Sequence, residues 1–325
     1  MTRRYFLFLL SSSAAWLLSA HGHAVSQPAA KVPRIGVLVS ASEPHPFADA
    51  LRHGLLNLGY SEGRNITLDV RYTQGRSDLA AQFAAELVRS DVAVIVAHFT
   101  PAVRAAMAAT KTIPIVMVAG APLQSGFIKN LYEPGGNVTG LSAMDAELGG
   151  KRIQLLSDLI PKLACVGVLA TTPTTDPFSR PFVADIQAAG SALNVRVVPV
   201  LIGGPSELEE AFSVLAKEGA QAVIVQGFFG PYSKRIAQLA TSHRIGYMSS
   251  DRSAVVDGGL ASLSANFPLL YEYAAVYVDK LLKGANPASL PVEQPSKFEV
   301  TVNSKTAQPL GLSLLANLAR ASRTR

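Results

Sequence analysis

Short runs of β-branched and aliphatic residues alternate with amphipathic stretches along nearly the whole chain. RIGVLVS (34–40) is apolar at almost every position, the pattern of a parallel strand buried on both faces rather than of a strand with one wet side. A helical period follows around 47–58 and stops at Gly59. NITLDVRY then reads as a strand, and Ser77 to Arg89 as a helix with Ser77 suited to its N-cap. VAVIVAH is the next strand. The helix after it is predicted to start at Pro101, because a proline lacks only an N–H that a first helical turn leaves unpaired anyway. IPIVMVA closes the series.

The second half repeats this plan. CVGVLAT (165–171) matches RIGVLVS, VRVVPV matches NITLDVRY, AVIVQG matches VAVIVAH, and IGYMSS matches IPIVMVA. The four pairs share an offset of about 130 residues, which points to duplication of one structural unit. The predicted class is α/β, with two similar doubly wound parallel-sheet lobes. YEPGGNVTGLS (132–142) and VDGGLASLSA (256–265) stand at matching points, each a double glycine ahead of a short apolar segment. They read as crossovers between lobes, with Gly135, Gly136, Gly258 and Gly259 as hinge candidates. A third crossover is expected in LPVEQPSKFEVTVNSKTA, after an amphipathic helix at 269–283. The expected boundaries are 34–137 for lobe 1 and 138–260 for lobe 2, with 261–325 shared between them.

The N-terminus departs from this alternation. Arg3 and Arg4 precede an apolar run from Tyr5 to Leu18, and Gly22 and Ala24 supply small residues for cleavage before Val25. Residues 1–24 therefore read as a secretory signal peptide and 25–33 as a flexible leader. The run is broken by Ser11 to Ser13 and falls short of the roughly 20 residues a spanning helix needs. TRRYFL resembles a twin-arginine export signal, and the Sec route stays equally open. Cys165 is the single cysteine, so no disulfide framework exists and no thiol at the signal boundary carries a lipid anchor.

Composition adds two limits. A chain of 325 residues, 49% of them hydrophobic, can build two sizeable cores. Of the 29 Lys and Arg, 27 remain after signal removal against 23 Asp and Glu, and they form no basic block. Nucleic acid is not an expected partner. The expected location is the periplasm.

Candidate chemistry is sparse. GGK at 149–151 lacks the Ser or Thr and the leading glycine of a phosphate loop, and the glycines of PGGN precede a β-like run instead of following one. Asn137-Val138-Thr139 matches a glycosylation sequon of low information. There is no G-x-S-x-G, Cys165 begins a buried-looking strand, and no two histidines fall at i, i+3 or i+4, so neither a nucleophile nor a metal site is predicted. His53 and His243 read as surface or helix-capping residues. What remains is the rule that open parallel sheets bind ligands beyond their strand C-termini. It selects Ser40 and Ser42, then His98, Phe99 and Thr100, then Gly120 and Ala121. In the second half it selects Thr171, Gln226, Phe228, Ser250 and Asp251. Asn137 and Thr139 are expected to brace the glycine turn or reach a ligand from the cleft floor. These residues suit hydrogen bonding and aromatic packing and lack a paired acid and base. Ser42, Thr100 and Ser250 serve equally well as helix N-caps.

Taken together, RIGVLVS, EGRNI, PGGNVTGLS, GGKRIQLL and LPVEQPSKFE resemble the ABC-transporter substrate-binding family whose relatives include tryptophan- and tyrosine-binding proteins, over about Arg34 to Leu318. The resemblance implies a type I periplasmic-binding fold with three crossovers. It further implies capture of a small solute, with an aromatic amino acid or related compound as the first expectation, by a monomer without cofactor or catalysis. An inner-membrane permease with a separate ATPase subunit would be the partner. Relatives commonly read Gly-Asp-Pro after the fourth strand; this chain has Gly120-Ala121-Pro122, without that carboxylate. An exported ligand sensor shares the same pattern, and a cleft enzyme would need a catalytic constellation that the sequence does not offer. A DNA-binding regulator is excluded by the signal peptide and by the missing helix-turn-helix.

Overall fold

Burial follows the sequence alternation closely. In the computed structural model, which describes residues 32–312, the first half runs β1 (Arg34–Val39), α1 (Pro46–Asn57), β2 (Thr67–Tyr72), α2 (Ser77–Arg89), β3 (Val94–His98), α3 (Phe99–Ala109), β4 (Ile115–Ala119) and β5 (Val138–Ser142). These strands form a five-stranded sheet in the order β2-β1-β3-β4-β5, parallel throughout. The central strands are buried on both faces, which is why they carry continuous apolar runs.

The second half runs α4 (Gly149–Leu159), β6 (Cys165–Thr171), α5 (Ser179–Ala192), β7 (Arg196–Ile202), α6 (Leu208–Lys217), β8 (Ala222–Val225), α7 (Ser233–Ser242), β9 (Gly246–Ser249), α8 (Ser253–Val256) and β10 (Ala261–Ala265). Its sheet order, β7-β6-β8-β9-β10, repeats the first strand for strand. The chain ends with α9 (Phe267–Leu282), β11 (Phe298–Val302) and α10 (Ser304–Ala307), β11 pairing antiparallel with β10 at the sheet edge. The two doubly wound lobes expected from the duplicated pattern are both present.

Four apolar clusters cover the four sheet faces. In the first lobe α1 and α9 pack on one face while α2 and α3 pack on the other. In the second, α4 and α5 oppose α6 and α7. α9 follows a strand of the second sheet yet lies on α1 of the first, so closely that a Cβ on Gly54 would fall 2.3 Å from the Glu272 carbonyl oxygen. Cys165 is buried at the start of β6, as its strand position suggested, and burial pushes its thiol pKa up.

The chain passes between the lobes three times: between Ser142 and Gly149, between Ala265 and Phe267, and between Glu293 and Phe298. All three passages lie at the C-terminal ends of the strands, since Glu293 pairs beside Leu141 and Phe298 beside Ala265. The double glycines lie at the other end. Val138 stands opposite Ile115, the first residue of β4, so Gly135 and Gly136 enter β5 from below, and Gly258 and Gly259 enter β10 in the same way. The hinge expectation for these four glycines is therefore corrected: they precede a fifth strand within one sheet and are not crossovers. The first sheet also runs on to Ser142, past residue 137.

Local starts differ in detail from the sequence reading. α3 begins at Phe99, two residues before Pro101, and α1 is capped by His45, whose Nδ1 accepts the Phe47 N–H at 3.3 Å. None of Ser42, Thr100 or Ser250 caps a helix; Asp251 accepts the Ser253 N–H at 2.8 Å ahead of α8. Among the described residues no helix is long and apolar enough to cross a membrane. The expected signal peptide and leader lie outside the described residues, apart from Val32 and Pro33.

Candidate functional site

Because both sheets are parallel, each presents all its strand C-termini, and the loops after them, at one end. These two ends face each other across a cavity of about 570 Å³, open solvent at its mouth included. From the first lobe, Ser40 and Gly75 follow β1 and β2, Phe99 and Thr100 begin α3, and Gly120 follows β4. From the second come Asp176, Phe178, Gln226, Phe228 and Ser250, while the crossovers supply Asp145 and Phe267.

Seven residues expected at the cleft are thus brought together: Ser40, Phe99, Thr100, Gly120, Gln226, Phe228 and Ser250. Others lie elsewhere. Ser42 is exposed on its loop, and Ala121 is fully buried in the core of the second lobe. Asn137 donates to the Ile113 carbonyl at 2.9 Å and Thr139 to the Leu290 carbonyl at 2.8 Å, so both brace the chain around β5 and neither reaches the cavity. Asp251 is taken up by the turn before α8.

His98 and Thr171 sit one layer behind the wall. His98 is fully buried, with Nε2 2.8 Å from the Tyr271 hydroxyl and its ring 3.8 Å from that of Phe99. Burial holds its pKa well below the usual histidine value, with His45 adding to the effect, so the ring is neutral. Phe99, in front of it, occupies the left-handed region at φ +65°, a conformation a bulky residue keeps only when its surroundings impose it. Its ring meets Phe267 edge-on at 5.6 Å. Across the gap, Phe228 packs against Phe229 at 5.3 Å and Phe178 against Phe182 at 5.6 Å. The cavity therefore has phenyl rings from both lobes and from a crossover.

Its polar end is built under the turn after β6. The Thr171 N–H donates to Gln226 Oε1 at 2.9 Å, which turns the Gln226 amide nitrogen toward Asp176 Oδ2, also at 2.9 Å. Thr171 and Ser179 share a hydroxyl contact at 2.8 Å behind this pair. Asp176 also accepts the Phe178 N–H at 3.1 Å. Desolvation outweighs these bonds and the pull of Arg104, raising the Asp176 pKa to about 6. Asp145 is held differently: Arg152, wholly buried, grips its carboxylate, donates to its carbonyl at 2.7 Å and reaches the Leu263 carbonyl at 3.1 Å. The Ser40 hydroxyl has no hydrogen-bond partner among the described residues.

Sequence reasoning missed Asp145, Asp176, Phe178 and Phe267. Gly75 and Asp176 lie in the loops after β2 and β6, where the strand-end rule applies. Asp145 and Phe267 belong to crossovers and follow only from the three-dimensional path. No three His, Cys, Asp or Glu side chains among the described residues are grouped to hold a metal ion.

Comparison with known proteins gives a consistent result. The model of the family described as ABC transporter substrate binding protein matches residues 34–324. A tyrosine-binding protein of Clostridioides difficile is 28% identical over 284 residues, covering 86% of this chain and 81% of that protein. The ABC domain from Streptococcus pneumonia in complex with L-Trp superposes with a TM-score of 0.81 at 25% identity, covering 87% of this chain and 95% of that one. A ligand-free, open substrate-binding protein with adhesive properties from Clostridium difficile gives 0.62 at 26% identity, covering 87% and 96%. At matched identity the complex is the better fit, in keeping with the contact between Phe178 and Gly120 across the cleft. A glucose-galactose binding protein from Geobacillus stearothermophilus, 12% identical with a TM-score of 0.62, shares the fold over 84% of this chain and 98% of that one.

Proposed function

The chain belongs to the ABC transporter substrate-binding protein family, and on that premise we propose that it is a periplasmic receptor capturing a small solute with an ammonium group and an aromatic body. The observation that carries this reading is the cavity between the two sheets, whose lining combines four phenyl rings with the Asp176 carboxyl. Ring faces and edges hold an apolar planar body, and a buried carboxylate gains most from an ammonium placed against it. The tyrosine- and tryptophan-binding relatives support a solute of this kind.

Binding and release require the cleft to open, and the three crossovers at the strand C-termini are where the chain can bend. A bound solute touches both lobes and so stabilises the closed arrangement over the open one. A membrane permease then reads the closed form, and ATP hydrolysis belongs to a separate subunit. Mass spectrometry under native conditions, on protein recovered from its own periplasm, followed by thermal-shift screening of aromatic amino acids and amines, tests this. Recovery of a bound small molecule whose addition raises the melting temperature is expected. A folded protein that carries nothing and is stabilised by nothing in a broad screen overturns it.

A further inference from the structure

The wall of the cleft also specifies charge. Among the described residues that line it, the ionisable side chains are two carboxylates, Asp145 and Asp176, with no lysine, arginine or histidine. Asp145 is already matched by the buried Arg152, so that pair is neutral as a unit. Asp176 meets only neutral donors, the Gln226 amide and the Phe178 N–H. Arg104, on α3 and outside the wall, acts on Asp176 through space.

An α-amino acid brings a carboxylate as well as an ammonium. Enclosing that carboxylate requires a cation or several converging N–H groups, because an unpaired buried charge is costly. The wall supplies no cation; its donors are neutral, the Ser40, Thr100 and Ser250 hydroxyls and the start of α3, which loses one amide at Pro101, and neutral donors hold a buried carboxylate less strongly than an ion pair does. An ammonium, in contrast, finds a carboxylate and the faces of nearby phenyl rings.

We propose that the cleft selects organic monocations, aromatic amines with one ammonium and no carboxylate, the ammonium at Asp176 and the ring among Phe99, Phe178, Phe228 and Phe267. This deepens the receptor reading and rests on it.

Paired probes isolate the carboxylate. Calorimetric titration of the mature chain at neutral pH with tyramine against L-tyrosine, and tryptamine against L-tryptophan, should show each amine binding at least about tenfold more tightly than its parent amino acid. Asp176→Asn should abolish amine binding, and Arg104→Gln should strengthen it at pH 8, where Asp176 stays ionised, by removing a like charge. Equal or tighter binding of the amino acids overturns the monocation rule and leaves the receptor reading standing. Loss of amino-acid binding in Arg104→Gln overturns it too, since Arg104 would then hold the carboxylate. If neither member of either pair binds, the monocation rule fails, while the receptor reading is judged separately by whatever molecule the periplasmic protein carries.

Discussion

Phe178 of the second lobe lies against Gly120 of the first, so closely that a Cβ at position 120 would stand 2.8 Å from the ring. The missing side chain at 120 is thus a condition of the closed cleft. Gly120→Ala should weaken solute binding by about tenfold or more and change the ligand-free melting temperature little, because the lobes can part to relieve the clash. Titration with scattering in saturating ligand checks this: compaction equal to that of the parent would contradict it.

Asp176 ties binding to pH. Its carboxyl titrates at about 6 in the folded chain. Above that pH it is ionised and affinity for a cationic solute is full; below it, affinity should fall about tenfold per unit. Arg104 pulls the midpoint down and burial pushes it up, so Arg104→Gln should move the inflection to higher pH. A flat affinity between pH 5 and 7.5, read by titration, would be incompatible with a role for this carboxylate.

The same group affects stability with the opposite sense to a salt-bridged aspartate. Folded Asp176 keeps its proton up to about 6, against 3.8 for the ordinary carboxyl. Between those values the folded state binds more protons than the unfolded one, so its contribution to stability falls as pH rises through the window and is level above it. Urea unfolding of the parent and of Asp176→Asn across pH 4 to 7 should differ in this slope.

Arg152 ties the first crossover to β10 by holding Asp145 and the Leu263 carbonyl together. Arg152→Met should cost about 3–5 kcal/mol, because it takes the cation from a buried carboxylate and the guanidinium donors from two carbonyls, those of Asp145 and Leu263. Arg152→Lys should recover only part of this, since one ammonium cannot span the three oxygens that the guanidinium reaches. Shifts in the urea midpoint at constant slope provide the measure.

Behind the wall, Tyr271→Phe removes the hydroxyl on His98 Nε2. His98 Nδ1 already has no partner among the described residues, so the loss should cost about 1 kcal/mol or somewhat more. The imidazole signals in NMR should shift while those of His243 stay unchanged.

Gly136→Val tests where the chain bends. Nothing lies within 4 Å of a Cβ at this position, and it sits at the end of β5 remote from the crossovers. Ligand-driven compaction in scattering should be the same as in the parent; its loss would return a hinge role to the double glycine.

The fold was legible because its parallel strands are buried on both faces. RIGVLVS and CVGVLAT announce themselves as continuous apolar runs, and their constant spacing exposed the duplication. Phe99, Gln226 and Phe228 were readable from the strand-end rule alone. The errors share a cause. A glycine pair signals a turn but not which end of a strand it serves, and Gly135 and Gly258 serve the end away from the cleft. Asp145 and Phe267 reach the site only through crossovers, which join residues far apart in sequence, and local pattern carries no trace of that. His98 was placed at the right strand end, yet its ring turns back toward Tyr271, a choice made by packing.

The seating of α9 on α1 bears on the order in which this chain assembles. Domains commonly fold as they emerge, the earliest first. Here a nascent chain that has reached Asn266 already holds β1 to β5, but Val37, Leu51, Leu55, Val96 and Val118 still await the partners that Leu270, Tyr271, Ala274 and Val278 provide. The second sheet needs nothing from earlier than Ser142 to complete its own two faces, apart from Ala121. Each lobe is thus completed by chain that lies after residue 266: α9 seals the first, while β11 and Ala307 finish the second, so neither core is whole until the C-terminal segment has doubled back over both.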